Sequence, residues 1–237
     1  MDGIEIRGLQ KAYALEGGTL PVLRGLNLTL KEGAITVVLG KSGCGKTTLL
    51  RLVGGLETPD AGEIRFHGTR KTAFVFQEPR LMPWLNVRDN IQFGLRRSEI
   101  DPAETRRIIA TVGLTDFEGA LPAQLSGGMQ QRAALARALA CRPSLILMDE
   151  PFAALDHFTR ENMQRELLRV RQATDASILF VTHAIDEALT LADKVVLLSG
   201  GTSAAEFPID LPHPRDLLCG ELIRVRREIV AALGAAV

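Results

Sequence analysis

Gly40-Lys41-Ser42-Gly43-Cys44-Gly45-Lys46-Thr47 sets two glycines, a lysine and a hydroxyl residue at the spacing G-x-x-x-x-G-K-[ST]. Glycines let a backbone curl until successive N–H groups face one point, and a polyphosphate fits such a cradle. A helix opening at Lys46 adds the positive end of its dipole. In this arrangement Lys46 reaches the β- and γ-phosphates of a nucleotide and Thr47 offers its hydroxyl to Mg²⁺. The whole run from Gly40 to Thr48 is thus a candidate phosphate-binding loop (P-loop).

Leu145-Ile146-Leu147-Met148 is an apolar run ending in two carboxylates, Asp149 and Glu150. A buried parallel strand brings its C-terminal end beside a phosphate site. Successive strand residues point opposite ways, so the two acids can take separate tasks. Asp149 suits Mg²⁺, directly or through its water, and Glu150 suits polarising an attacking water. Read alone, the pair also fits two solvated acids at a strand end. His183 follows the strand-like ILFVT and precedes a helix; it could reach a γ-phosphate, or serve structure only. Leu125-Ser126-Gly127-Gly128-Met129-Gln130-Gln131 opens a helix with a serine and two glycines. It reads either as a second anion-binding helix N-terminus or as a plain cap with a flexible lead-in.

The elements that must position these groups alternate. Ile4 to Leu9 and Val22 to Leu30 read as half-exposed antiparallel strands, and Ala34 to Leu39 as a buried one. Lys46 to Val53 is a helix closed by Gly54-Gly55; Glu63 to His67 and Thr72 to Phe76 are strand-like. From about Glu78 to Leu125 the pattern is mainly helical, with helices at Asn86 to Leu95 and Asp101 to Val112. The second has Asp101 as N-cap and Pro102 in its first turn. Regular alternation then returns: helix from Met129 to Ala140, strand from Leu145, helix from Asp156 to Ala173, strand from Ser177 to Val181, helix from Ala184 to Leu191, strand from Lys194 to Leu198. Such alternation predicts a mostly parallel sheet covered on both faces. An edge hairpin and a helix from about Pro214 to Leu233 are expected in the tail.

Composition sets the class. With 46% hydrophobic and 24% charged residues the chain is globular, and the formal net charge of zero argues against a general nucleic-acid binder. Three scattered cysteines give neither a disulfide framework nor a zinc site. The opening MDGIEIRGLQ has no apolar run, so no signal peptide is expected, and no stretch reaches the ~20 apolar residues of a membrane span.

Together these residues resemble the ATP-binding cassette (ABC) transporter ATPases, over about Ile4 to Gly200. LSGGMQQR at Leu125 to Arg132 matches that family's signature motif and separates it from other P-loop proteins. The resemblance implies an α/β fold: a P-loop NTPase core with a mostly parallel sheet, an N-terminal antiparallel β subdomain and an inserted helical subdomain. One ABC ATP-binding domain would occupy residues 1–237, with the helical subdomain at about 78–143. It implies ATP hydrolysis with Mg²⁺. By resemblance, Tyr13 stacks on adenine, Gln77 is the Q-loop glutamine that senses Mg²⁺ and the γ-phosphate, Ala154-Leu155-Asp156 is the D-loop, and His183 is the switch histidine. The implied catalytic set is Glu150, His183 and Gln77; the implied metal set is Thr47, Gln77 and Asp149. A head-to-tail homodimer is also implied, in which Ser126, Gly127 and Gly128 of one subunit close on the ATP held by the other's P-loop.

A finer resemblance, to the nitrate/sulfonate/taurine importer subfamily, lies in FQEPRLMPWLNVRDNI at Phe76 to Ile91, DEPFAALDHFTR at Asp149 to Arg160 and FPIDLPHPRD at Phe207 to Asp216. Ala153 stands where a glycine is usual and Gln130 where arginine is common. It implies integral membrane permease subunits as partners, a periplasmic or surface substrate-binding protein at one remove, and a peripheral place on the cytoplasmic face of a bacterial inner membrane. The apolar run Leu81-Met82-Pro83-Trp84-Leu85, rimmed by Arg80 and Arg88, is the expected docking groove for a helix of the permease. Two other functions compete. A soluble ABC ATPase working on nucleic acid or ribosomes usually needs two cassettes or a long coiled coil, and a small-molecule P-loop kinase leaves LSGGMQQR unexplained.

Overall fold

The computed structural model describes residues 2–68, 70–153, 155–174 and 176–235. The chain opens with a long antiparallel hairpin, β1 (Asp2–Leu15) and β2 (Gly18–Lys31), closed by the two residues Glu16 and Gly17, the latter at φ 100°. Both strands outrun their apolar alternation, because register shifts at Ile6/Leu9 and Lys11/Ala12 break the period of two while the ladder continues to Leu15 opposite Gly18. β4 (Ala61–Phe66) pairs along the other edge of β1, giving an antiparallel sheet in the order β2-β1-β4.

The second sheet holds β3 (Ile35–Leu39), β5 (Thr72–Val75), β6 (Leu145–Asp149), β7 (Ser177–Thr182), β8 (Lys194–Ser199) and β9 (Thr202–Pro208), in the order β5-β6-β7-β3-β8-β9. Five strands run parallel, and β9 hairpins back antiparallel along the edge, so the sheet is mixed. Pleating divides its side chains between two cores. Val38, Leu145, Leu147, Leu179 and Val181 face the antiparallel sheet and α1 (Lys46–Val53). Ile35, Val37, Ile146, Met148, Ile178 and Phe180 face α5 (His157–Ala173), α6 (Ile185–Leu191) and the helices inserted before β6.

Between β5 and β6 stand α2 (Val87–Gln92), α3 (Pro102–Thr111) and α4 (Gly127–Ala140). Three separate 3-10 turns join them. α2 is shorter than its sequence pattern: Asn86 is its N-cap, accepting from the Asp89 N–H at 2.8 Å, and Phe93 ends it ahead of Gly94. Asp101 caps α3 and Pro102 occupies its first position. The tail helix α7 (Gly220–Ala235) starts six residues later than its periodicity suggests. The Arg215 guanidinium holds the preceding stretch extended by donating to the carbonyls of Leu189, Ala192, Ile209 and Leu211. No helix among the described residues is long and apolar enough to cross a membrane.

Candidate active site

The loop after β3 is shaped by what its glycines avoid. A Cβ on Gly40 would lie 2.5 Å from Cys44 Sγ and 2.6 Å from the Leu198 carbonyl oxygen. Gly43 and Gly45 hold φ of 78° and 105°, where a side chain is strained. Cys44 packs inside the curl, and burial pushes its thiol up, away from a reactive thiolate. The loop delivers Lys46, 6% exposed, to the start of α1. Its ammonium donates to the carbonyls of Gly40 (2.8 Å) and Lys41 (3.1 Å) and lies 3.5 Å from Glu150 Oε1.

β6 ends on the two acids and sends them apart. Asp149 turns towards α1, where its Oδ1 accepts from the Thr47 hydroxyl at 3.1 Å; burial pushes its carboxyl above the usual range. Glu150 lies just past the strand at φ 42°, uncommon for a residue with a side chain. Its N–H donates to the Val181 carbonyl at 3.0 Å, which fixes it against β7. Its Oε2 is 2.9 Å from His183 Nδ1, while the rest of the imidazole is exposed. Glu150 therefore sits between one ammonium and one imidazole, each on a different loop.

A cavity of about 450 Å³ opens over these groups, lined by Ser42, Gly43, Gly45, Lys46, Thr47 and Thr48, by Gln77 beyond β5, by Asp149 and Glu150, and by Val22 of β2. Two larger cavities, of about 590 and 760 Å³, have no P-loop residue in their walls; chemistry rather than size selects the site. Thr47, Asp149 and Gln77, which carry hydroxyl, carboxylate and amide oxygens, line this cavity. No set of three His, Cys, Asp or Glu side chains among the described residues could enclose a metal. That donor set fits a hard cation that completes its shell with phosphate oxygens and water, as Mg²⁺ does.

Not every residue singled out in the sequence lies here. Gly40, Lys41 and Cys44 build the loop without lining the cavity. Tyr13 stands beside it: its hydroxyl donates to Glu57 Oε2 (2.5 Å) and lies 3.4 Å from Thr48 Oγ1. Ser126, Gly127 and Gly128 are absent from the walls of their own chain's cavity. Ser126 Oγ caps α4 by accepting from the Met129 N–H at 3.3 Å, and a Cβ on Gly128 would lie 2.4 Å from Thr159 Cγ2. Asp156 caps α5, accepting from the Thr159 N–H at 3.0 Å; Ala154 lies outside the described residues. Sequence reasoning missed Arg160 and Glu187, which meet beneath the two loops that carry Glu150 and His183. The signal was faint: an acid in the first turn of a helix is ordinary dipole compensation.

A family model described as ABC transporter matches residues 23–153. An aliphatic sulfonates import ATP-binding protein SsuB of Rhodopseudomonas palustris is 45% identical over 236 residues, covering 97% of this chain and 83% of that protein. An uncharacterized ABC transporter ATP-binding protein, MJ0412 of Methanocaldococcus jannaschii, is 42% identical over 97% of this chain and 91% of its own length. Among solved structures, the dimeric, post-hydrolysis state of the ATP-binding cassette MJ0796 bound to ADP and Pi superposes with a TM-score of 0.77 at 30% identity, covering 88% of this chain and 100% of that one. The phosphate loop, the paired carboxylates and the signature helix thus sit in a fold shared with a nucleotide-bound relative, and the chain belongs to the ABC transporter family as an ATP-binding, ATP-hydrolysing subunit.

Proposed function

We propose that this ATPase powers an importer of a small anion of the sulfonate, taurine or nitrate class, working on integral membrane permease subunits at the cytoplasmic face of a bacterial inner membrane. A substrate-binding protein on the outer side would choose the cargo. The observation that carries this reading is the 45% identity, over nearly the whole chain, to proteins named for aliphatic sulfonate import.

Within the site, Lys46 holds the β- and γ-phosphates, and the loop N–H groups take the remaining charge. Mg²⁺ held by Thr47, Asp149 and Gln77 would neutralise charge on the β- and γ-phosphate oxygens. Glu150 orients the attacking water; the contacts to Lys46 Nζ and His183 Nδ1 fix its carboxylate. Tyr13 would meet the adenine, a reading supported by the 3.4 Å approach of its hydroxyl to Thr48 Oγ1 at the cavity wall. Ser126, Gly127 and Gly128 do not line the cavity of their own chain. A head-to-tail pair would bring one chain's signature helix to the other's nucleotide, a reading supported by the likeness to a cassette solved as a dimer. Trp84 at 71% exposure and Pro83, on a shelf built by half-buried Leu81, Met82 and Leu85, offer the permease an apolar foothold a short way along the chain from Gln77.

The test has two arms. The chain, tagged and purified from detergent-solubilised membranes of its own cells, should bring integral membrane proteins with it. Cells should take up an alkanesulfonate, taurine or nitrate in a way that Lys46→Ala abolishes. Replacing Trp84 and Leu85 with aspartate should leave the ATPase activity of the isolated chain intact and end co-purification. Recovery with ribosomes or nucleic acid instead of membrane proteins would refute the importer.

A further inference from the structure

Beneath the site, three side chains join the loop that carries Glu150 to the loop that carries His183. Glu187, on the first turn of α6, is 5% exposed. One carboxylate oxygen accepts from the Thr182 hydroxyl at 2.6 Å, and the other lies 3.4 Å from Arg160 Nε. Thr182 is the last residue of β7, immediately before His183. Its Oγ1 in turn accepts from the Ala184 N–H at 3.0 Å, immediately after His183. His183 is therefore bracketed by a two-bond staple anchored on Glu187. From the opposite side Arg160, on the first turn of α5, donates to the carbonyls of Leu155 (2.7 Å) and Phe152 (3.4 Å), in the loop that follows Glu150. Phe152 is fully buried against Phe180 of β7, ring centroids 5.5 Å apart, which anchors its carbonyl beneath the site.

We propose that Glu187 is a positioning residue for ATP hydrolysis: through Thr182 it sets the place of His183, and through Arg160 it locks that place to the loop bearing Glu150, so that the 2.9 Å contact between His183 and Glu150 forms. The chemistry supports the assignment. A carboxylate this buried is costly unless each oxygen is answered. Here one oxygen meets a hydroxyl and the other a guanidinium; the hydroxyl directly precedes the His183 loop, and the guanidinium donates to carbonyls of the loop after Glu150. Burial also pushes the Glu187 carboxyl up, so the site bears a cost that a glutamine or leucine would avoid. An acid needed only to compensate the α6 dipole could do so from solvent, as Asp186 in the same turn can, without that desolvation cost.

The inference rests on the reading that Glu150 and His183 act together in hydrolysis, and the experiment separates the two. Glu187→Gln, Thr182→Val and Thr182→Ser are compared with His183→Ala in the full chain. The measurements are kcat and KM for ATP, nucleotide binding, and the imidazole nitrogen signals of His183, assigned among the four histidines by its disappearance in the substituted chain. Glu187→Gln and Thr182→Val should lower kcat by roughly tenfold to a hundredfold, as small misplacements of reacting groups do, with KM for ATP unchanged. The His183 signals should move towards those of a free imidazole, and Thr182→Ser should restore both. Full turnover in Glu187→Gln, or lowered turnover with His183 signals unmoved, would overturn the proposal. If Glu187→Gln does not fold, the valine and serine variants pose the same question at the hydroxyl. Full turnover in His183→Ala would instead remove the reading of the site beneath it.

Discussion

Asn90 gives the sharpest quantitative test of how the exposed Trp84 segment is held. It is completely buried on α2, and its amide donates to the carbonyls of Met82 (3.1 Å), Leu85 (2.8 Å) and Asn86 (3.1 Å) while its Oδ1 accepts from the Met82 N–H (2.7 Å). Two of those carbonyls have a second donor: the Leu85 N–H reaches the Met82 oxygen, and the Asn90 N–H reaches the Asn86 oxygen. Asn90→Ala therefore strands two groups, the Met82 N–H and the Leu85 carbonyl. At about 1–3 kcal/mol per stranded buried group, and with Met82 and Leu85 only half-buried, the expected loss of stability is about 2–4 kcal/mol. For a chain of this size that is a fall in Tm of roughly 5–15 °C. Urea unfolding followed by circular dichroism measures the global loss. Trp84, the only tryptophan, reports the segment directly through its emission. Asn90→Asp keeps the acceptor for Met82 but turns a carboxylate on the carbonyls, so at neutral pH it should be no better than alanine. A change below about 0.5 kcal/mol, the size of an ordinary surface substitution, with unaltered Trp84 emission would refute the reasoning.

Three further outcomes follow from the site. Lys46→Ala removes the buried ammonium, and ATP affinity measured by calorimetry should fall about tenfold to a hundredfold, the equivalent of the ~1.5–3 kcal/mol of a charge-assisted contact, with no detectable hydrolysis; unchanged turnover would contradict the P-loop assignment. Glu150→Gln keeps the contact geometry without the charge, so ATP should bind and persist, and size-exclusion chromatography with ATP should show a dimer; ATP-loaded monomer would argue against the shared sandwich. Burial raises the Asp149 carboxyl, so its contribution to stability is present below the unfolded-state value near 3.9 and is lost as pH rises through the higher folded-state value. Asp149→Asn, neutral throughout, should therefore raise the Tm of the nucleotide-free chain at neutral pH while abolishing Mg²⁺-dependent turnover; a lower Tm would reverse the sign of this account.

Legibility in the sequence tracked how local each feature is. The P-loop motif, Gly40 to Thr47, is one consecutive stretch in a single strand–loop–helix unit, so its types and spacing carry it whole. Strands β3, β6 and β7 are buried on both faces and appear as mainly apolar, β-rich runs. The outer half of the β1–β2 hairpin did not show, because bulges at Ile6/Leu9 and Lys11/Ala12 move the apolar residues out of step. Asn90 was hidden inside a helix whose apolar neighbours were legible, since satisfaction of a side-chain amide by a loop leaves no period. The staple of Arg160, Glu187 and Thr182 joins residues from three elements, and each alone looks like a routine helix charge or a strand-end threonine. The contact between Glu150 and His183 crosses 33 positions and could be expected only from family resemblance.

The position of the cavity follows from the order in which the strands were laid down. β3 comes first in the chain, and the connection then leaves for the far edge at β5 before β6 and β7 return towards it, giving β5-β6-β7-β3. Because these strands are parallel, all four C-terminal ends open on one edge: Gln77 lies two residues past β5, Asp149 ends β6, His183 follows β7, and Gly40 follows β3. The reversal also places the helices on opposite faces. α1, after β3, packs into the core under the antiparallel sheet, whereas α5 and α6, after β6 and β7, pack into the other. A crevice must open where loops from the two faces part, as at the switch point of any such sheet. Lys46 enters it from one face, and Glu150, braced by Arg160 and Glu187 from the other, meets it at 3.5 Å. Lys46 opens a helix and Glu150 follows a strand over a hundred positions later; topology makes the ammonium and the carboxylate converge, and the chemistry of the site is a consequence of that convergence.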